Sequence, residues 1–259
     1  AAFALSAGFD AALMSLLSGY MAAAGFNGRQ IGLVGGCGGV AVLLSPMVIA
    51  RYADSRVRPR ILTALCFLVC APFLLAARFT GYFPFFLFCM FVVGLFHRPI
   101  HSLLTEASFR HIGDHSGFGQ VRVWGTAGFI AVSWSLSGWL RVHESTAGSE
   151  PGLLGIGLVA AAIIAVGAGI FSFFLPDSSR SWNPNAGADG FFSAFELLRD
   201  RAFMVLCIAM LGVACLRPFY FRFIFIYLTD GRGAGLSPSL AAFIQSAGQV
   251  SELAIMPLL

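Results

Sequence analysis

Eight runs of roughly 20 mostly apolar residues organise this 259-residue chain, at about 1–24, 31–50, 60–78, 82–106, 121–141, 152–175, 202–228 and 236–259. A helix of about 20 residues rises about 30 Å, the thickness of a bilayer's hydrocarbon core, and it satisfies its own backbone polar groups without water. The spacing predicts an all-α integral membrane protein. Composition agrees: 58% of residues are hydrophobic and 11% charged, against about 25% charged in soluble domains. The 30 glycines and 27 phenylalanines suit helices that are apolar toward lipid and thin where they meet one another.

The connections set an orientation. If the first run leaves the cytoplasm, the loops on that side carry nine arginines: Arg51, Arg56, Arg58, Arg60, Arg110, Arg122, Arg180, Arg199 and Arg201. The opposite side carries four, Arg29, Arg78, Arg141 and Arg232. The positive-inside rule then places the N-terminal end in the cytoplasm. The net charge of +4 calls for no nucleic-acid partner.

One connection stands apart. Residues 176–200, PDSSRSWNPNAGADGFFSAFELLRD, are the longest polar stretch, and Pro176, Pro184, Gly187 and Gly190 loosen it. It separates six spans (1–175) from two (201–259), and Phe191 to Leu198 is expected to form a short amphipathic helix at the inner surface.

Polar groups inside the spans are the candidate functional positions, because charge is costly in lipid unless it is paired or faces water. Arg122 heads the stretch Gly119 to Trp139, whose small residues Gly125, Ala127 and Gly128 allow close helix approach. Asp10 lies near the middle of the first span, at a depth close to that of Arg98 in the fourth, so an Asp10–Arg98 pair is expected. His97 and His101 flank Arg98 at i, i+4 spacing. That spacing suits a metal, but no further ligand set stands beside them in sequence and no metal is assigned; either histidine suits a proton relay. Glu106 is a candidate gate partner for Arg122. The six cysteines all fall inside apolar runs and read as small buried hydrophobes.

Six spans, a long cytoplasmic connection and further spans resemble the layout of the major facilitator superfamily. The loop ARYADSRVRPR (Ala50 to Arg60) resembles that superfamily's signature between the second and third spans, with Asp54 at the acidic position and Ala50 where the family has glycine. An aspartate among Arg51, Arg58 and Arg60 near helix ends is suited to latching one conformation, so Asp54 and Arg58 are candidate latch residues. The resemblance implies twelve spans, of which eight are visible, with four more expected beyond Leu259 and both ends expected to be cut from a longer chain.

Within that superfamily the chain resembles the nucleoside:proton symporters, a branch neighbouring the phenylpropionate and lactose-type proton symporters. Gln120 to Ile130, QVRVWGTAGFI, is close to the family's Arg-x-Trp-Gly-Thr-x-Gly-Phe-Ile; Leu175-Pro176 ends the sixth span similarly; Gln249-Val250-Ser251-Glu252 with Pro257 resembles its eighth span. The resemblance implies that Arg122, Thr126 and Phe129 line the substrate cavity, and their i, i+4, i+7 spacing puts them on one helix face. It also implies that Glu252 contacts substrate and carries the coupled proton, with a structural salt bridge as the competing role; Asp10 is a second proton-coupling candidate. The seventh span departs from the family, which presents amide side chains where this chain has Cys215-Leu216-Arg217-Pro218-Phe219-Tyr220-Phe221-Arg222. Arg217 thus joins the candidate substrate-binding residues, and with Arg222 it suits an anion or a partner for Glu252.

The expected activity is proton-coupled symport of a nucleoside or similar polar planar solute by alternating access in the inner membrane, with a small organic anion as runner-up. A non-transporting subunit of a larger membrane complex is the rival from another class. No Gly-Lys-Ser/Thr phosphate loop or enzyme motif occurs in the sequence, and no cofactor is expected.

Overall fold

The structure is a computed structural model describing residues 1–53, 58–112, 118–143, 151–175 and 199–255, with side chains described in these ranges except at 46–53, 110–112, 118, 120, 121, 214, 215, 217, 218, 254 and 255. Its helices in chain order are α1 (Ala2–Ala23), α2 (Gly28–Ala53), α3 (Pro59–Phe79), α4 (Phe83–Ile112), α5 (Phe118–His143), α6 (Pro151–Leu154), α7 (Ile156–Ser172), α8 (Arg201–Thr229), α9 (Pro238–Gln245) and α10 (Ala247–Ile255). Five stretches are long and apolar enough to cross a membrane by length and composition: Ala2–Ala23, Gly28–Ser45, Pro59–Phe79, Phe83–Phe109 and Pro151–Ser172. At 26 and 29 residues, α5 and α8 are as long.

Helix ends follow local chemistry. Asn27 and Gln30 cap α2 reciprocally, each backbone N–H donating to the other's side-chain oxygen at 2.9 Å. Gly25, at φ +83°, makes the reversal that leads out of α1, a conformation a side chain would resist. Asp200 accepts from the Ala202 amide to start α8, and Ser237 with Pro238 starts α9.

The sequence expects unbroken sixth and eighth spans, and the structure divides both. Gly155 separates α6 from α7, and Ser246 separates α9 from α10. The second break has a visible anchor: the Trp134 indole N–H on α5 donates to Ser246 Oγ at 3.0 Å, and its ring stacks on Phe243 at 5.6 Å. Trp134→Phe is expected to keep the stacking and lose the hydrogen bond, lowering stability by about 1 kcal/mol. Thermal unfolding in detergent checks this.

Helix α1 is the axis of the packing. Its small residues let three neighbours close in. Gly125 of α5 lies against Phe3 and Ala7, Gly128 against the Ala4 backbone, and Gly8 against Val132. Gly157 of α7 meets the Ala12 carbonyl and Leu16, while Phe225 of α8 lays its ring over Gly19. With no hydrophobic drive between helices in lipid, such close contact supplies the cohesion. At one end the Tyr20 hydroxyl donates to the Arg78 carbonyl at 3.0 Å, and Arg78 Nη2 donates to the Gly152 carbonyl at 3.3 Å, tying α1, α3 and α6. Of the glycine run in α2, Gly38 lies near Gly94 of α4 and Gly35 near Arg222, whereas Gly36 and Gly39 have open space.

Large apolar side chains such as Leu43, Phe79, Ile163, Phe174, Ile208 and Leu211 face outward. This distribution fits a hydrocarbon surround rather than water. The five cysteines with described side chains are free; Cys66, Cys70 and Cys89 are buried, and Cys37 and Cys207 are half-buried.

Candidate functional site

Among the described residues, two clusters of ionisable side chains interrupt the apolar packing. The first lies between α5 and α10. Arg122, in the first turns of α5, reaches Glu252 of α10 with Nη2 and Oε1 3.8 Å apart. Both are partly open, the side chains 60% and 40% exposed. One turn along α5 from Arg122, Thr126 is buried, and Phe129 on the same stripe is half-buried. The structure thus brings Arg122 to Glu252, while Thr126 and Phe129 follow Arg122 along the same stripe of α5. Arg122 takes Glu252 as its ion-pair partner rather than Glu106, which instead lines an open depression on α4.

The arrangement offers a guanidinium, a hydroxyl and an aromatic ring on one stripe of α5, with a carboxylate from α10 paired to the guanidinium. A cation held by a single partly exposed carboxylate is exchangeable. The pair is worth roughly 0–1 kcal/mol at such exposure, so a ligand with its own acceptors competes on even terms. The Arg217 side chain, Asp54 and the Phe191–Leu198 segment lie outside the described residues. Arg58 is exposed at the start of α3.

The second centre corrects an expectation. Asp10 does not pair with Arg98; its partners are His101, whose Nε2 lies 2.8 Å from Oδ2, and His97, whose Nδ1 lies 3.7 Å from Oδ1. The reason is helical geometry. His97 and His101, four residues apart, project from one face toward α1, while Arg98 is rotated about 100° away and exposed. The i, i+4 histidines were the available signal; the third member came from another helix. Arg98 still acts on Asp10 through space, and on Arg222 of α8 as well. Together Asp10, His97 and His101 bring candidate metal-ligand atoms within 4.8 Å of one another.

A bundle of membrane-crossing helices around a small-residue axis, with ionisable side chains at its helix seams, defines a polytopic helical membrane protein. The chain belongs to the nucleoside H+ symporter family, whose model matches residues 9–259. It is 28% identical over 244 residues to YegT of Escherichia coli (strain K12), covering 92% of this chain and 55% of that protein. It is 26% identical over 246 residues to the nucleoside permease NupG of the same organism, covering 88% of this chain and 55% of that one. In three dimensions it superposes on a crystal structure of a variant of the nucleoside transporter NupG with a TM-score of 0.78 at 21% identity, over 98% of this chain and 64% of that chain. The chain spans about half the length of the curated relatives it matches. It is a multi-pass membrane protein of a transport family.

Proposed function

We propose that the protein is a proton-coupled symporter of nucleosides in the bacterial inner membrane, its N-terminus cytoplasmic, working by alternating access between a six-span unit (1–175) and a second unit that begins at 201. The observation that carries this reading is the Arg122–Glu252 pair, 3.8 Å apart between α5 of the first unit and α10 of the second. A nucleoside bridging that seam takes hydrogen bonds from Arg122 and Thr126 through its carbonyl and hydroxyl oxygens and lays its base on Phe129. Glu252, released from Arg122, binds a ribose hydroxyl or takes the proton. Arg217 completes the substrate wall from α8, and Asp54 with Arg58 latches the cytoplasmic helix ends.

A second reading, an organic-anion substrate, is favoured by one observation. Arg98 of α4 and Arg222 of α8 have no ion-pair or hydrogen-bond partner among the described residues, and the charge of Arg98 acts on Arg222 through space. Two unneutralised guanidiniums inside a membrane protein attract an anion.

The test is a thermal-shift screen of the full-length protein against nucleosides and against aromatic and aliphatic carboxylates, since a true ligand stabilises the folded state. Nucleosides are expected to raise the transition and carboxylates to leave it in place; the reverse pattern transfers the assignment to the anion reading. Arg122→Ala is expected to weaken nucleoside binding by about 10- to 100-fold, the worth of a charge-assisted hydrogen bond. Unchanged affinity would return Arg122 to the role of a membrane-boundary anchor.

A further inference from the structure

We propose that Asp10, His97 and His101 form a second proton-binding site, separate from Glu252 and loaded through His101 from the open depression on α4. The inference rests on the reading of the protein as proton-coupled, and it starts from the geometry of three side chains on two helices.

Each oxygen of the Asp10 carboxylate faces a different imidazole: Oδ2 meets His101 Nε2 at hydrogen-bond distance, and Oδ1 stands 3.7 Å from His97 Nδ1, just beyond it. The two rings are nearly perpendicular, 83° apart with centroids 5.7 Å apart, so each approaches the carboxylate from its own side. The group runs from wet to dry. The His101 side chain is 42% exposed, that of Asp10 19% and that of His97 4%. His101 borders an open depression of about 670 Å³ along the face of α4 that is also lined by Ser102, Thr105, Glu106 and Phe109. His97 is stacked on Phe9 at 4.1 Å and lies edge-on to Phe67 at 6.3 Å. Its Nε2 is buried without a hydrogen-bond partner among the described residues.

That gradient decides between a proton and a metal. A histidine that ligates a metal nearly always donates its second ring nitrogen to an acceptor, which fixes the ring. The second nitrogen of His97 has none. The 2.8 Å contact between His101 and Asp10 is a hydrogen bond already made, with no room for an ion between the two atoms. The charged groups acting on Asp10 are His97, His101 and Arg98, all on α4; Arg222 on α8 feels the charge of Arg98 in turn. The helices of the sixth span, α6 and α7, contain no ionisable side chain.

The step is a bare proton transfer. A proton from water in that depression binds the free nitrogen of His101, and its Nε2–H leans on Asp10 Oδ2. Handing a proton across the carboxylate to His97 turns the 3.7 Å approach into an ion pair and stores the charge beside the Phe9 ring, a favourable cation–π position. The net charge of the triad rises by one, with no bond between heavy atoms changed. Helix α1 carries the effect outward, because the same helix seats Phe225 of α8 on Gly19 and holds Gln245 of α9 through the Ser15 carbonyl. Protonation at one side of α1 therefore bears on spans seven and eight at the other.

Two measurements on the full-length protein test the site. In substrate-free detergent solution, proton uptake on a step from about pH 8 to about pH 6, a range in which histidine is the side chain that titrates, is followed with an indicator dye. Asp10→Asn is expected to take up about one proton fewer than wild type, although aspartate itself titrates below this range. Equal uptake overturns the proposal. His97→Gln gives a second variant should Asp10→Asn not fold, and because His97 stores the one proton it is expected to show the same deficit of about one. Uptake equal to wild type in His97→Gln counts against the relay. In proteoliposomes with uridine as probe, a pH gradient of one unit drives about tenfold accumulation by a one-proton symporter. Asp10→Asn is expected to bring that ratio to about one while uridine exchange falls less than about threefold, and wild-type accumulation by the variant overturns the proposal. A wild-type protein that accumulates no uridine, yet shows the one-proton deficit in Asp10→Asn, would overturn the substrate reading and support the site. One zinc ion per wild-type protein, absent from Asp10→Asn, would make the triad a metal centre and overturn it.

Discussion

Glu252→Gln is expected to abolish proton-driven nucleoside accumulation while much of the binding remains. Glutamine keeps the shape and hydrogen-bonding reach of glutamate but holds no exchangeable acid proton, so the substitution removes the charge and little else. Under a pH gradient of one unit, accumulation in proteoliposomes should fall from about tenfold to about one, with affinity changed by less than about tenfold. Magnitudes separate this role from that of a structural salt bridge. The Arg122–Glu252 contact is 3.8 Å long between side chains 60% and 40% exposed, and such pairs contribute about 0–1 kcal/mol to stability. If the pair served only to hold helices together, its loss would show as a small drop in thermal stability with coupling intact. Accumulation at the wild-type level in Glu252→Gln would remove this residue from the coupling machinery.

Gly128→Val is expected to cost more stability than any other small substitution in the α1–α5 seam. A Cβ at this position meets the carbonyl oxygen, Cα and carbonyl carbon of Ala4, all backbone atoms, so no side-chain rotation relieves the overlap and the helices must separate. Overpacking of this kind costs about 1–3 kcal/mol, and helix separation adds lost contacts at Gly125 and Gly8. A drop in the thermal transition of roughly 3–10 °C follows for a chain of this size. Gly138, in the same helix, has nothing within 4 Å of its built Cβ, and Gly138→Ala should leave the transition where it is. Transitions of the two variants within a degree of each other would refute the seam as a determinant of stability.

The fold was legible because each span announces itself locally. The eight apolar runs match α1 to α10 within a few residues at most ends, apart from the breaks at Gly155 and Ser246. Gly155 sits under the Arg78 guanidinium stem, and Ser246 receives the Trp134 indole. Both partners come from other helices, so hydropathy along one segment could not reveal either break.

The candidate site was legible in part. The stripe of Arg122, Thr126 and Phe129 is a property of one helix, and its periodicity states it outright. The partner of Asp10 was misassigned because matching depth narrows a choice to one level of the bundle but leaves helix rotation open. At that level α4 offers His97, Arg98 and His101, and only its rotation about its axis turns the two histidines toward α1.

By itself, then, the sequence determined the membrane class, the apolar runs that become helices, the small-residue seams and the kinship with nucleoside H+ symporters. These follow from the bilayer, which imposes length and apolarity on every segment separately. The tertiary structure alone decided which charges meet: Arg122 with Glu252, Asp10 with His97 and His101, and the depression that opens at His101. Those meetings depend on the rotation and crossing of packed helices, set by where glycines let backbones touch, and no single segment's sequence encodes them.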